Sequence, residues 1–173
     1  MSIRLGLIMH EEAVALVAAT LGACKSAGMK TPTRSPTHAD VELSRLSAMG
    51  LEVEDIAAAG EVTIPALVEL AEDRGRPVSH YLASIPLGDE VRVAGTGVAL
   101  KVCAGSCQQW GALDLLDHVV ERWQKQPSFR LVPVACLDRC DQAPACELHG
   151  DHGALVIAPA TKASLDAALD ALS

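Results

Sequence analysis

The segment KVCAGSCQQWGA, residues 101–112, joins an apolar run to two closely spaced cysteines. The run Val98–Cys103 follows two glycines and has the composition of a buried β-strand. Cys103 stands where that strand is expected to end, and Cys107 follows it after three intervening residues. A helix is predicted over residues 109–125, because apolar side chains recur there on one helical face. This strand–turn–helix unit predicts an α/β domain.

A second cysteine pair stands in the same position after a second predicted strand. The apolar run 131–135 leads into VACLDRCDQAP, residues 134–144, which contains Cys136 and Cys140. A third strand over residues 154–158 and a terminal helix complete the predicted order β-α-β-loop-β-α. Because neighbouring strand ends point at the same region of space, we expect the two cysteine pairs to lie close together.

The first half of the chain has a helical pattern. Its predicted helices cover residues 10–27, 38–49, 51–59, 64–74 and 79–85, with a linker over residues 28–37. Thr63 and Thr161 are predicted helix caps, while Gly50, Gly60 and Gly75 are predicted helix stops. We therefore divide the chain into a helical N-terminal segment, residues 1–90, and an α/β domain, residues 91–173.

The composition limits the classes of function. The formal net charge of −8 argues against nucleic-acid binding, which requires basic patches. No apolar run reaches the roughly 18–20 residues of a membrane span, so membrane insertion is not expected. The sequence around Cys24 resembles a lipoprotein cleavage box, but Glu11 and Glu12 stand where a signal peptide carries positive charge. We expect a cytoplasmic protein, in which clustered cysteines are more often metal ligands or redox groups than structural disulfides.

The spacing of the cysteines narrows the chemistry. Both sulfurs of one pair can bind one metal ion, and two such pairs suit two irons bridged by two sulfides. Structural zinc sites and redox disulfides more often have two residues between paired cysteines. Gly105 would let the backbone approach a bound group and leave amide N–H groups free to bond to sulfur. Iron–sulfur is the favoured interpretation of Cys103, Cys107, Cys136 and Cys140; zinc and thiol chemistry remain open as alternatives.

Both cysteine segments resemble the thioredoxin-like [2Fe–2S] ferredoxins. Residues 134–144 are similar to that family's second cysteine motif, in which Cys-Leu-x-x-Cys is followed by Ala-Pro, and residues 101–112 are similar to its first. Residues 63–86 resemble the end of the helical segment that precedes the ferredoxin domain. The family includes the small iron–sulfur subunit of the NADH-oxidising module of respiratory complex I, and matching subunits of NAD-linked formate dehydrogenases and hydrogenases. Three features depart from its pattern: the first pair has one fewer intervening residue, Asp138 replaces a glycine, and the Phe-Tyr pair common before the first strand is missing, with Tyr81 nearby instead.

The resemblance implies a one-electron carrier with a [2Fe–2S] cluster. Cys103 and Cys107 would bind one iron, and Cys136 and Cys140 would bind the other. The implied partner is a flavin- and NADH-binding oxidoreductase subunit in a hetero-oligomer, so the chain would not be catalytic alone. The alternative is a non-redox binding or assembly module of the same fold, with zinc or no metal at the cysteines.

The remaining cysteines and nearby histidines have plainer interpretations. Cys24 is interpreted as a core thiol of a helix, and Cys146 as a small buried apolar residue or a partly exposed bystander. His149 and His152 flank a predicted hairpin turn and are interpreted as surface residues. Trp110, at the start of the predicted helix after Cys107, is interpreted as a packing residue or a shield against water.

Overall fold

The computed structural model describes residues 41–88, 90–150 and 153–171. Within these ranges the chain forms five α-helices and two β-sheets, which confirms the predicted mixed α/β class. The helices are α1 (Leu43–Ile56), α2 (Ile64–Arg74), α3 (Val78–Ser84), α4 (Ala112–Lys125) and α5 (Lys162–Asp170). The strands are β1 (Glu61–Val62), β2 (Arg92–Val93), β3 (Val98–Cys103), β4 (Phe129–Val134), β5 (Cys146–Gly150) and β6 (Gly153–Ile157).

Some predicted features lie outside the described residues. These are the helix over residues 10–27, the linker over residues 28–37, Cys24 and His152. In the part of the chain that the structure does describe, no helix combines the length and the apolar character needed to cross a membrane.

The main sheet has four strands in the order β4-β3-β5-β6. β3 and β4 are parallel neighbours with Cys103 opposite Val134, and α4 forms the crossover between them. β5 runs antiparallel to both β3 and β6. Pro133 is accommodated in β4 because that strand lies at the edge of the sheet. The observed strand order therefore places both cysteine turns at one end of a parallel strand pair.

Strand β5 was not among the predicted strands. Its sequence, CELHG, offers only two apolar residues, and these alternate with Glu147 and His149. The apolar side chains of Cys146 and Leu148 are buried, while the polar ones are half-buried. Gly150 lies opposite Gly153, so β5 and β6 form a hairpin at the predicted position.

The predicted boundary between two helices at Gly50 is wrong. Helix α1 runs without a break through Gly50 to Ile56, where the sequence predicts helices over residues 38–49 and 51–59. Leu46, Met49 and Val53 form one buried stripe along it. Packing of this stripe outweighs the local cost of a glycine within a helix, which is about 1 kcal/mol.

Replacing Gly50 with alanine is expected to raise the free energy of unfolding by about 0.5–1 kcal/mol, because alanine favours the helical backbone. An added Cβ at residue 50 would meet its nearest neighbours, in Ser84, at 4.0 Å, so the methyl group fits. Urea denaturation measures the change.

Gly60→Ala is the matched control and should be destabilised. Gly60 has φ +78, and a Cβ there would lie 2.8 Å from the carbonyl oxygen of Glu90. Destabilisation of the Gly50→Ala variant would contradict the continuous helix α1 and would support a helix boundary at Gly50.

Three predicted helix ends are confirmed by their hydrogen bonds. The Thr63 hydroxyl accepts from the N–H of Ala66 at 3.3 Å, which caps α2. The Thr161 hydroxyl accepts from the N–H of Ser164 at 3.1 Å, and the Ser164 hydroxyl accepts in return from the N–H of Thr161 at 2.9 Å. Gly75 ends α2 in the left-handed conformation. These local signals are carried by adjacent residues, which explains why the sequence alone located them.

Helix α4 begins later than predicted. Residues Ser106–Trp110 form a 3₁₀-helix, and Gly111, with φ +95, separates it from α4. The predicted apolar face of α4 is confirmed, since Leu113, Leu116 and Val120 are buried. The turn after Cys103 therefore has its own compact geometry and is not the first turn of the helix.

One buried core joins the helical segment to the sheet. Core residues come from both sides of the predicted boundary at residue 90, and Tyr81 and Leu116 are among those fully buried. Helix α3 packs against both α1 and α4. The Asp117 carboxylate on α4 accepts from the N–H and hydroxyl of Ser79 at 3.0 and 2.9 Å, near the start of α3. The helices α1 to α3 thus share their packing with the α/β part.

Candidate metal centre

The first cysteine pair is buried in the turn between β3 and α4. Cys103 ends β3, and its N–H donates to the carbonyl oxygen of Ala145 at 3.1 Å, next to the start of β5. The 3₁₀-helix that follows carries Cys107. Both side chains are 2% exposed and lie in a small apolar cluster with Ala112 and Ala143. Water is therefore largely excluded from the first pair.

The second cysteine pair lies in the turn after β4 and is exposed. Cys136 follows the end of β4 by two residues, and Cys140 begins a short 3₁₀-helix, Cys140–Gln142. The backbone N–H of Asp138 donates to the Cys136 sulfur at 3.2 Å. The two pairs thus form an inner pair, Cys103 and Cys107, and an outer pair, Cys136 and Cys140.

The two cysteine turns touch at Gly105. A Cβ built on Gly105 would lie 2.1 Å from the carbonyl oxygen of Ala135, so no side chain fits there. The Cys103 thiol, at the same junction, lies 3.7 Å from that oxygen and donates to it. The N–H of Ala104 donates to the carbonyl oxygen of Val134 at 2.8 Å, extending the β3–β4 pairing into the turns. The sequence predicts that Gly105 lets the backbone approach a bound group. In the structure, the absence of a side chain at Gly105 lets the turn after β4 approach at Ala135.

Hydrogen bonds favour negative charge on the Cys103 sulfur. The hydrogen bond with Cys107 lowers the pKa of Cys103 to about 6; burial opposes this shift, and the backbone N–H groups of Gly105, Leu137 and Cys107 reinforce it. The same pairing, together with burial, raises the pKa of Cys107. Leu137 belongs to the second turn, so both turns supply amide dipoles to this sulfur.

In the outer pair, Cys136 acts on the Cys140 thiol. The hydrogen bond with Cys136, and then its charge, raise the pKa of Cys140, and the charges of Cys103 and Asp138 add to the shift. Within the described ranges, no three Cys, His, Asp or Glu side chains form a group that could hold a metal ion. The arrangement is therefore two thiol pairs in adjoining turns that influence each other electrostatically.

Cys146 stands apart from the four paired cysteines. It is 0% exposed in β5, opposite Val102 of β3, and burial raises its pKa to about 12. This agrees with its interpretation as a small buried apolar residue. His149, on the same strand, places its Nε2 atom 2.9 Å from the Glu147 carboxylate.

Gln108 belongs to the site although no sequence motif indicates it. It is buried beside Cys107, and its Nε2 donates to the carbonyl oxygen of Ala104 at 2.7 Å. This bond closes the turn between the inner cysteines and fixes its shape. The only signal in the sequence is a polar residue directly after a buried cysteine, which is common in exposed turns as well.

Compared with known proteins, the chain matches no family model and no curated protein. Fold and site together define the class: a mixed α/β protein with two cysteine pairs in adjoining turns after parallel strands. Cysteine thiolates in general can bind soft metal ions and iron–sulfur clusters.

Proposed function

We propose that Cys103, Cys107, Cys136 and Cys140 hold one [2Fe–2S] cluster, and that the chain carries single electrons like the thioredoxin-like [2Fe–2S] ferredoxins it resembles. The observation that carries this proposal is the contact between the two cysteine turns, Gly105 against Ala135, at the ends of β3 and β4. A bound cluster of this type accepts and releases one electron.

The surrounding residues suit that cofactor. Four thiolates and an oxidised cluster together carry a net charge of about −2, which amide dipoles must offset. The N–H groups of Gly105, Leu137 and Asp138 already point at sulfur atoms. The inner pair excludes water, while the exposed outer pair brings the site to the surface, where electrons can pass to another protein.

The proposed partner is a flavin- and NADH-binding subunit of a cytoplasmic oxidoreductase complex. This part of the proposal rests on the resemblance of residues 63–86, 101–112 and 134–144 to subunits of such complexes. The partner would turn over the substrate, and this chain would carry the electron, so it is not an enzyme alone.

Purification of the full chain without air tests the cofactor. We expect a red-brown protein with about two iron atoms per chain and a visible absorption that bleaches on reduction. A colourless protein that contains zinc, or no metal after reconstitution with iron and sulfide, would contradict the proposal. That result would favour the alternative, a non-redox binding or assembly module of the same fold.

A further inference from the structure

Asp138 lies between the outer cysteines in a backbone conformation that glycine prefers. Its φ is +55, in the left-handed region, which aspartate and asparagine tolerate better than most residues. Its N–H donates to the Cys136 sulfur at 3.2 Å. Glycine would satisfy both requirements without adding a charge, so the backbone does not explain the carboxylate.

The carboxylate itself contacts the site. Its Oδ1 accepts from the Cys136 thiol, with the two atoms 3.7 Å apart. In the described part of the chain, Asp138 makes no ion pair with a lysine or arginine. Asp138 thus presents both a backbone N–H dipole and a carboxylate to the same sulfur.

We propose that the Asp138 carboxylate lowers the reduction potential of the site, an inference that rests on the proposed [2Fe–2S] cluster. Uptake of one electron from a reduced flavin converts one ferric ion to ferrous and adds one negative charge, without making or breaking a bond. A fixed carboxylate beside a ligand sulfur opposes that added charge, whereas amide N–H groups favour it. The side chain at residue 138 therefore sets the driving force for accepting an electron.

A redox titration of the full, cluster-loaded chain tests this inference. Dithionite is the reductant, and visible absorption reports the reduced fraction. In Asp138→Asn and Asp138→Gly, which keep the left-handed backbone and the N–H donor, we expect the equilibrium constant for one-electron reduction to rise about three- to tenfold at low ionic strength. The difference from the unmodified protein should shrink at high ionic strength, because salt screens an exposed charge.

Asp141→Asn is the matched control, since it removes the same charge from the same turn. The Asp141 carboxylate accepts from the side-chain amide of Gln142 at 3.4 Å. We expect the equilibrium constant for reduction to rise less in Asp141→Asn than in Asp138→Asn. Equal potentials in Asp138→Asn and the unmodified protein, or equal shifts in the Asp138 and Asp141 variants, would overturn the inference while the cluster remained. Loss of iron from both Asp138 variants would also overturn the inference, since the carboxylate would then be needed to hold the cluster. Absence of a cluster from the unmodified protein would overturn the proposed function as well.

Discussion

Cys136→Ser is expected to lose nearly all its iron and visible colour, retaining less than about a tenth of the iron bound by the unmodified protein. Serine replaces a soft thiolate with a hydroxyl that stays protonated near neutral pH, so one iron would lose a ligand. Cys136 is exposed, and its sulfur accepts from the N–H of Asp138 and donates to the carboxylate of the same residue. The free energy of unfolding of the metal-free chain should therefore change little, by less than about 1 kcal/mol.

Cys146→Ala is the control for that loss. Alanine is preferred to serine there, because a serine hydroxyl in the fully buried position would need a hydrogen-bond partner. This variant should keep its iron, although a small cavity lowers its stability. Iron content and visible spectra of both proteins, purified without air, test which cysteines are ligands. Full iron in Cys136→Ser together with loss in Cys146→Ala would show that the ligands are assigned wrongly.

Gly105→Ala is expected to lose iron and to be destabilised by about 1–3 kcal/mol, a cost typical of overpacking. The new Cβ would stand 2.1 Å from the carbonyl oxygen of Ala135. Because the position of each atom is fixed by the backbone, neither can rotate away. The two cysteine turns would have to separate by about 1 Å to restore an ordinary contact. That shift moves the inner pair away from the outer pair and from the N–H of Leu137.

Gly150→Ala provides the comparison for Gly105→Ala. A Cβ at Gly150 would meet a methyl group of Val98 at 3.8 Å, an ordinary contact. We expect this variant to match the unmodified protein in iron content and in urea denaturation. A Gly105→Ala protein with unchanged stability and iron would mean that the two turns do not touch in solution.

The sequence predicted the features that are encoded locally. The runs 98–103 and 131–135 are short, apolar and bounded by turn residues, so the strands before both cysteine pairs were found. Thr63 and Thr161 cap helices through bonds to residues three positions later. In each case the residues that decide the structure are neighbours in the chain.

The errors and omissions depend on contacts between distant residues. Gly50 looks like a helix stop until the burial of Leu46 and Val53 is known. β5 is stabilised by its pairing with β3 and β6, not by its own composition. Gly105 contacts Ala135, which lies 30 positions further along the chain. No local sequence pattern indicates this contact.

The two hydrogen bonds that Ser79 donates to Asp117 tie helix α3 to helix α4, which directly follows the first cysteine turn. Detaching α3 from α4 would leave the buried Ser79 without its carboxylate partner and would expose the apolar side of α4. Because the helices and the sheet share one buried core, we expect local opening of α1 to α3 to be coupled to unfolding of the strands that carry the cysteines. A group bound by the folded turns stabilises the distant helices by mass action, and a protein that docks on those helices tightens the binding of that group by the same factor.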